Sequence, residues 1–260
     1  MLNKVHNLDC VAGMKMLPDS FVDLTVTSPP YDNLRKYKGF AWDFEATAKE
    51  LYRVTKDGGV VVWVVGDATI KGSESGTSFR QALFFKECGF NLHDTMIYAK
   101  VNPIPQNHNR YEQCFEYMFV FSKGKPKTFI PILEATKNGG KVFNWGDRKT
   151  KMDDQQCRRH RATEKLSVKP TKIKNNIFYY SIGGCKTGHP AVFPEKLAQD
   201  HILSWSNEGD TVLDPFIGSG TTAKMALLNK RNFIGFEISQ EYCDIANARI
   251  ASIYKQETQF

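Results

Sequence analysis

The sequence predicts an α/β fold built on a doubly wound, mostly parallel sheet, and three observations carry that expectation. Apolar runs of strand length alternate along the chain with segments of helical periodicity. One run, residues 60–67 (VVVWVVGD), is apolar almost throughout, as a strand covered on both faces must be. A third run, residues 212–214, passes through Gly218 and Gly220 into the helix-like TTAKMALLNK, a strand, a glycine turn and a helix start.

Residues 7–17 read as a turn followed by a short helix, and residues 21–27 (FVDLTVT) as a strand. Pro29 and Pro30 end that strand, because neither can donate to a ladder or continue as helix. Residues 31–40 (YDNLRKYKGF) are polar, basic and aromatic and read as a loop. Residues 43–54 place Phe44, Ala48, Leu51 and Tyr52 on one helical face, and Gly58-Gly59 then precede the buried strand. Residues 78–88 form a helix closed by Gly89, and residues 92–100 and 114–122 are further strands. From residue 123 to 181 the chain turns basic and weakly periodic, punctuated by Gly139-Gly140, Trp145 and Pro170, and reads as an insertion. Order returns with a helix that Pro194 and Glu195 suit at its first turn. The glycine unit, a strand at residues 232–238 and a helix at residues 240–254 complete the chain.

With 260 residues, 41% hydrophobic and 24% charged, the chain is long enough for one sizeable α/β domain carrying an insertion. Its formal net charge is +7 and unevenly spread. Residues 123–174 hold 15 Lys and Arg against 5 Asp and Glu, a local +10 that leaves −3 on the remainder. Such an island points to a polyanion-binding face, or else to a solvated lysine-rich insertion. The six cysteines are scattered, without a CxxC pair, and read as reduced thiols in an intracellular protein; no metal site is expected. Neither a signal peptide nor an apolar run of membrane-spanning length stands out.

Glu237 follows Gly218 by 19 residues and closes the next apolar run. An acid at that spacing sits at the tip of the second strand and can accept both ribose hydroxyls of a nucleoside. A plain structural turn is the competing reading of the glycine pair.

The upstream tetrapeptide Ser28-Pro29-Pro30-Tyr31 falls at the carboxyl end of a predicted strand, the edge where open α/β sheets bind ligands. Its chemistry suits a planar base bearing an exocyclic amine. That nitrogen is a poor nucleophile, because its lone pair is delocalised into the ring. Acceptors on its two hydrogens draw it towards tetrahedral geometry, and the Ser28 hydroxyl and Pro29 carbonyl are such acceptors. Proline fixes the backbone and so preorganises the carbonyl. The Tyr31 ring offers a stacking face for an extruded base, and the bland alternative is a strand terminator with a packed tyrosine.

SPPY together with Phe216, Gly218 and Gly220 (FxGxG) resembles the amino-methylating DNA methyltransferases that use S-adenosylmethionine, and the motif order resembles their β group. The resemblance spans nearly the whole chain. It implies a Rossmann-like methyltransferase fold, with a catalytic half at 1–122, a target-recognition insertion at 123–185 and a cofactor-binding half at 186–260. It implies catalytic roles for Ser28, Pro29, Pro30 and Tyr31. It also implies a cofactor site of Thr27, Asp214, Pro215, Phe216, Gly218, Gly220, Thr221, Thr222 and Glu237. Asp9 and Cys10 match the family's pair facing the adenine ring, although Asp9 reads equally well as a helix cap. His189-Pro190 match the segment beside the methionine end, or a plain helix lead-in. Lys149, Arg158, Arg159 and Arg161 offer contacts to phosphates or guanine edges, and Trp145 either stacks or packs. Arg35 and Tyr37 would close over a base that leaves the stack, unless their loop is merely solvated.

Double-stranded DNA is the implied partner, in a bacterial or phage-type cytoplasm; a cognate restriction endonuclease and a homodimer are left open. In most members an acid or amide at the first motif position goes with adenine N6, and serine with cytosine N4. Ser28 therefore favours cytosine N4 over adenine N6. An RNA or protein-amide methyltransferase would share both motifs, but the basic island favours nucleic acid over a protein amide and the motif order favours DNA over RNA. A nicotinamide enzyme gives SPPY no role, and a non-catalytic DNA-binding protein leaves both motifs unexplained.

Overall fold

The computed structural model describes residues 1–30, 42–103, 109–144, 165–181 and 194–257. The chain forms two compact units, one of Met1–Ile130 with Asn176–Phe260 and the other of Pro131–Asn175. The first opens with β1 (Lys4–Asn7), α1 (Cys10–Lys15), β2 (Val22–Thr27), α2 (Phe44–Val54) and β3 (Thr55–Val65). A small hairpin, β4 (Thr69–Ile70) and β5 (Ser73–Glu74), then leads to α3 (Thr77–Glu87), β6 (Asn91–Lys100) and β7 (Phe115–Ser122). The second unit holds β8 (Leu133–Ala135), β9 (Val142–Asn144), β10 (Lys165–Ser167) and β11 (Thr171–Ile173), paired antiparallel as β8 with β11 and β9 with β10. The chain returns to the first unit through β12 (Ile177–Tyr180), α4 (Glu195–Trp205), β13 (Thr211–Asp214), α5 (Thr221–Leu228), β14 (Asn232–Glu237) and α6 (Gln240–Glu257).

Eight strands form one sheet in the order β1-β14-β13-β2-β3-β7-β6-β12. Every pairing is parallel except those that β7 makes with β3 and β6. The direction of winding reverses between β2 and β13, the switch point at which open sheets leave a crevice. α1, α2 and α3 pack as one group, and α4, α5 and α6 as another. Strand alternation assigns the faces. Val61, Trp63 and Val65 join the core of the first group, while the equally buried Val60, Val62 and Val64 point the other way. β3 is therefore apolar at consecutive positions because helices cover it twice. Trp63 is wholly buried and satisfies its indole N–H with Gln81 Oε1 at 2.9 Å.

Local chemistry sets the helix starts. Asp9 Oδ1 accepts from the amides of Val11 and Ala12, both at 3.0 Å, and Asp43 Oδ1 from that of Ala46 at 3.0 Å, so both acids are N-caps. Among the described residues the structure departs from expectation in several places, beyond the unforeseen hairpin of β4 and β5. β1 is a strand where none was expected, Gly58-Gly59 lie within β3 beside a bulge against β2, and β12 joins the main sheet. Among the described residues no helix is long and apolar enough to cross a membrane.

Candidate active site at the sheet switch point

Four neighbouring strands, β1, β14, β13 and β2, bring their carboxyl ends to one edge. Asp9 and Cys10 follow β1, Glu237 ends β14, Asp214 ends β13, and Ser28-Pro29-Pro30 follow β2. The sequence-predicted residues that the structure describes are thus gathered together although they lie up to 228 positions apart. Tyr31, Arg35, Tyr37, Lys149, Arg158, Arg159, Arg161, His189 and Pro190, and also Trp145, lie outside the described residues.

The ends of β2 and β13 are joined by a buried hydrogen bond. The Thr27 hydroxyl donates to Asp214 Oδ1 at 2.6 Å, and the Phe216 amide donates to the same oxygen at 3.1 Å. Burial pushes the Asp214 carboxyl up to about 6; bonds from Thr27, Thr222 and the Phe216 amide oppose the rise, and the nearby Glu237 adds to it. Thr222 is 3.2 Å from the Val26 carbonyl and beside this carboxylate, and its single proton serves one of them at a time.

Glu237 stands at the tip of the adjacent strand, its Oε2 accepting from the Gly218 amide at 3.1 Å and its Oε1 from the Ser239 amide at 2.8 Å. Burial raises its pKa, against the pull of those amides. The acid therefore holds the glycine loop while each oxygen keeps a lone pair for a further donor.

The loop requires glycine twice for different reasons. Gly220 has φ 82, and a Cβ there would lie 3.0 Å from the Ala246 Cβ of α6. Gly235 lies beneath the loop, where a Cβ would come within 2.2 Å of Ile217 Cδ1. Phe216 is half-buried against Trp42 in an edge-on contact, ring centroids 5.0 Å apart. Cys10 is a packing residue. Burial raises its thiol to about 11, and its Sγ lies 3.5 Å from Thr47 Oγ1, so it is no nucleophile at neutral pH.

Sequence reasoning missed the clamp on this loop. Arg249 of α6 donates from Nη1 to the Ser219 carbonyl at 2.6 Å and to Ser219 Oγ at 3.0 Å, and from Nη2 to Glu195 Oε1 at 2.8 Å. Lys224 Nζ reaches the same oxygen at 2.7 Å. Burial opposes charge on Glu195, but Lys224 and Arg249 together hold its carboxyl below the ordinary value. Nothing in the local sequence of α6 separates Arg249 from a surface cation.

A mostly parallel sheet with a strand-tip acid, a glycine loop at a helix start and a proline turn across the switch point is the arrangement of a Rossmann-like nucleoside-cofactor fold. A family model described as DNA methylase matches residues 22–248, so the chain belongs to that N6/N4 methylase family, whose members depend on S-adenosylmethionine. The chain is 60% identical over 242 residues to the orphan methyltransferase M.BamHII of Bacillus amyloliquefaciens, covering 89% of each. Among solved structures it resembles the M1.HpyAVI–SAM complex, with 25% identity and a TM-score of 0.63 over 95% of this chain and 98% of that one. It also shares the fold of the cytosine-N4-specific PvuII DNA methyltransferase, with 21% identity and a TM-score of 0.67 over 97% of this chain and 91% of that one.

Proposed function

We propose that this DNA methylase is a site-specific enzyme acting on the N4 amine of a cytosine turned out of the duplex. The observation that carries the reading is the adjacency of Ser28-Pro29-Pro30 to the Asp214–Thr222 loop, across the Thr27–Asp214 hydrogen bond. Serine at the first position of the tetrapeptide supports cytosine over adenine.

The donor set fits S-adenosylmethionine. Glu237 has two acceptor oxygens with capacity left for a ribose diol, and Gly218 presents its backbone at the same place. Two carboxylates on neighbouring strand tips, both pushed up in pKa, suit a ligand bearing positive charge. Phe216 walls the crevice, and Asp9, Pro215, Thr221 and Thr222 are assigned to its lining with Cys10 packed behind them in the core; His189 and Pro190 are assigned to the methionine end by their motif match alone. The cofactor, when bound, supplies an electrophilic methyl carbon on a sulfonium.

Ser28 Oγ and the Pro29 carbonyl accept the two amine hydrogens and turn the nitrogen lone pair out of the ring plane. Pro30 keeps the turn rigid, and Tyr31 stacks on the base, worth about 1–3 kcal/mol by the usual scale of aromatic–base contacts. Arg35 and Tyr37 close over the base. Lys149, Arg158, Arg159 and Arg161 position the duplex from the 123–185 segment, which is the target-recognition region. The description of M.BamHII as an orphan supports modification without a paired endonuclease.

The test is to incubate the protein with S-adenosylmethionine and mixed-sequence duplex DNA, digest to nucleosides and identify the methylated species by mass spectrometry. N4-methylcytosine is the expected product. N6-methyladenine would overturn the base assignment and leave the acceptor mechanism standing.

A further inference from the structure

Between β3 and α3 the chain makes a hairpin that the methyl-transfer chemistry does not use. β4 and β5 pair Thr69 with Glu74 and Ile70 with Ser73, leaving Lys71-Gly72 as a two-residue turn. Both turn residues are left-handed, at φ 49 and 82, the conformation that matches the twist of a tight hairpin. The hairpin is braced at its base and its tip. The Ser75 amide donates to the Ala68 carbonyl at 2.8 Å, and the Ser75 hydroxyl to buried Asp67 at 3.1 Å. Arg110 donates to the Gly72 carbonyl and pairs with Glu74 at 3.7 Å.

Its place is set by the sheet. Thr27 is level with Trp63, so the end of β3 rises beside Pro29-Pro30, and the hairpin continues beyond it. The residues before β7 stand at the same edge, because β7 runs antiparallel to β3 with Tyr117 level with Val65. There Tyr111 is fully exposed and Ile70 is 56% exposed, with Lys71 and Arg80 exposed nearby. The hairpin's own acid, Glu74, is engaged by Arg110. A braced tip that shows an aliphatic and an aromatic side chain beside cations, on the catalytic edge, matches the chemistry of a nucleic-acid surface.

We infer that the β4–β5 hairpin, with Tyr111, is a second DNA-contacting element outside the basic insertion. Lys71 neutralises a backbone phosphate, and Ile70 and Tyr111 pack on bases next to the target. The inference rests on duplex DNA as the substrate and is indifferent to which amine is methylated.

Binding is measured by fluorescence anisotropy on a labelled mixed-sequence duplex, with S-adenosylhomocysteine present, across a salt series. Lys71→Asn removes the charge and keeps a residue that tolerates left-handed backbone. It should lower the slope of log affinity against log salt by about 0.9 and weaken binding about eightfold near ~0.1 M salt, as for one lost phosphate contact. Tyr111→Ala should weaken binding by about fivefold or more with its salt slope unchanged. Lys230→Asn is the control, since Lys230 also has positive φ (61) but precedes β14 at the opposite edge. Wild-type affinity and slope in both hairpin variants would overturn the inference, and so would an equal loss in Lys230→Asn, which would mean bulk charge alone. Failure of the wild type to methylate cytosine would refute the base assignment, not this contact, because binding is read directly.

Discussion

Asp214→Asn tests the electrostatics of the site most directly. Asp214 is 1% exposed and its carboxyl is pushed from 3.8 to about 6, chiefly by burial. Between those values the unfolded chain has released its proton while the folded chain keeps it. The stability this group contributes is therefore fully present below about pH 4, and is lost as pH rises through about 6. The shift corresponds to about 3 kcal/mol, an order-of-magnitude figure for a group taken wholly out of water. Asparagine is nearly isosteric. Its oxygen can keep the bonds from Thr27 and Phe216, and its amide can donate to Thr222. The variant should be more stable than wild type by up to about 3 kcal/mol at pH 8, and no more stable at pH 4.

The measurement is urea unfolding without cofactor at pH 4 to 8, read as the difference between variant and wild type. The difference is essential because His201 runs the opposite way. Burial lowers its pKa to about 4, so its contribution is present above about pH 6.5 and lost as pH falls through 4. The two slopes oppose each other in the wild-type curve and separate only on subtraction. A difference curve that is flat from pH 4 to 8 would refute the reasoning.

Glu237→Gln puts an amide where the Gly218 and Ser239 N–H groups both need acceptors, so calorimetry should show cofactor affinity down by about tenfold or more. Ser28→Ala and Tyr31→Ala should lower the single-turnover methyl-transfer rate with cofactor Kd within about twofold of wild type; a fully active Ser28→Ala would sink the acceptor mechanism. Arg249→Ala frees the Ser219 carbonyl and leaves Glu195 to Lys224 alone. It should cost about 2 kcal/mol in denaturant unfolding and weaken cofactor binding, while Arg249→Lys restores part of both.

Legibility in the sequence followed the range of the interactions. Burial on both faces writes itself locally, so β2, β3 and β13 were readable as apolar runs. The glycine loop was readable because left-handed backbone and close helix contact demand a particular residue, and Glu237 because one βαβ step fixes its distance from that loop. β1 has only four residues, one of them apolar, and too little pattern to show periodicity. The antiparallel placement of β7 depends on pairing that its own residues do not encode. Arg249 and the Thr27–Asp214 bond are contacts across 30 and 187 positions, and each partner looks locally like an ordinary surface cation or strand threonine.

That last pair shows why the site does not reduce to two motifs. Thr27 belongs to the strand that ends in SPPY, and Asp214 to the strand that ends in the glycine loop. The hydroxyl of one offsets part of the burial cost of the other, so the proline turn and the glycine loop share one buried carboxylate. Above about pH 6 the acid is ionised, and the burial of that charge destabilises the empty protein. It is relieved by positive charge brought to the same edge, where Glu237 adds a second negative centre. On the proposed function, this cost in the empty chain is offset when the cationic cofactor binds, so Asp214→Asn should weaken cofactor affinity while it raises the stability of the cofactor-free protein.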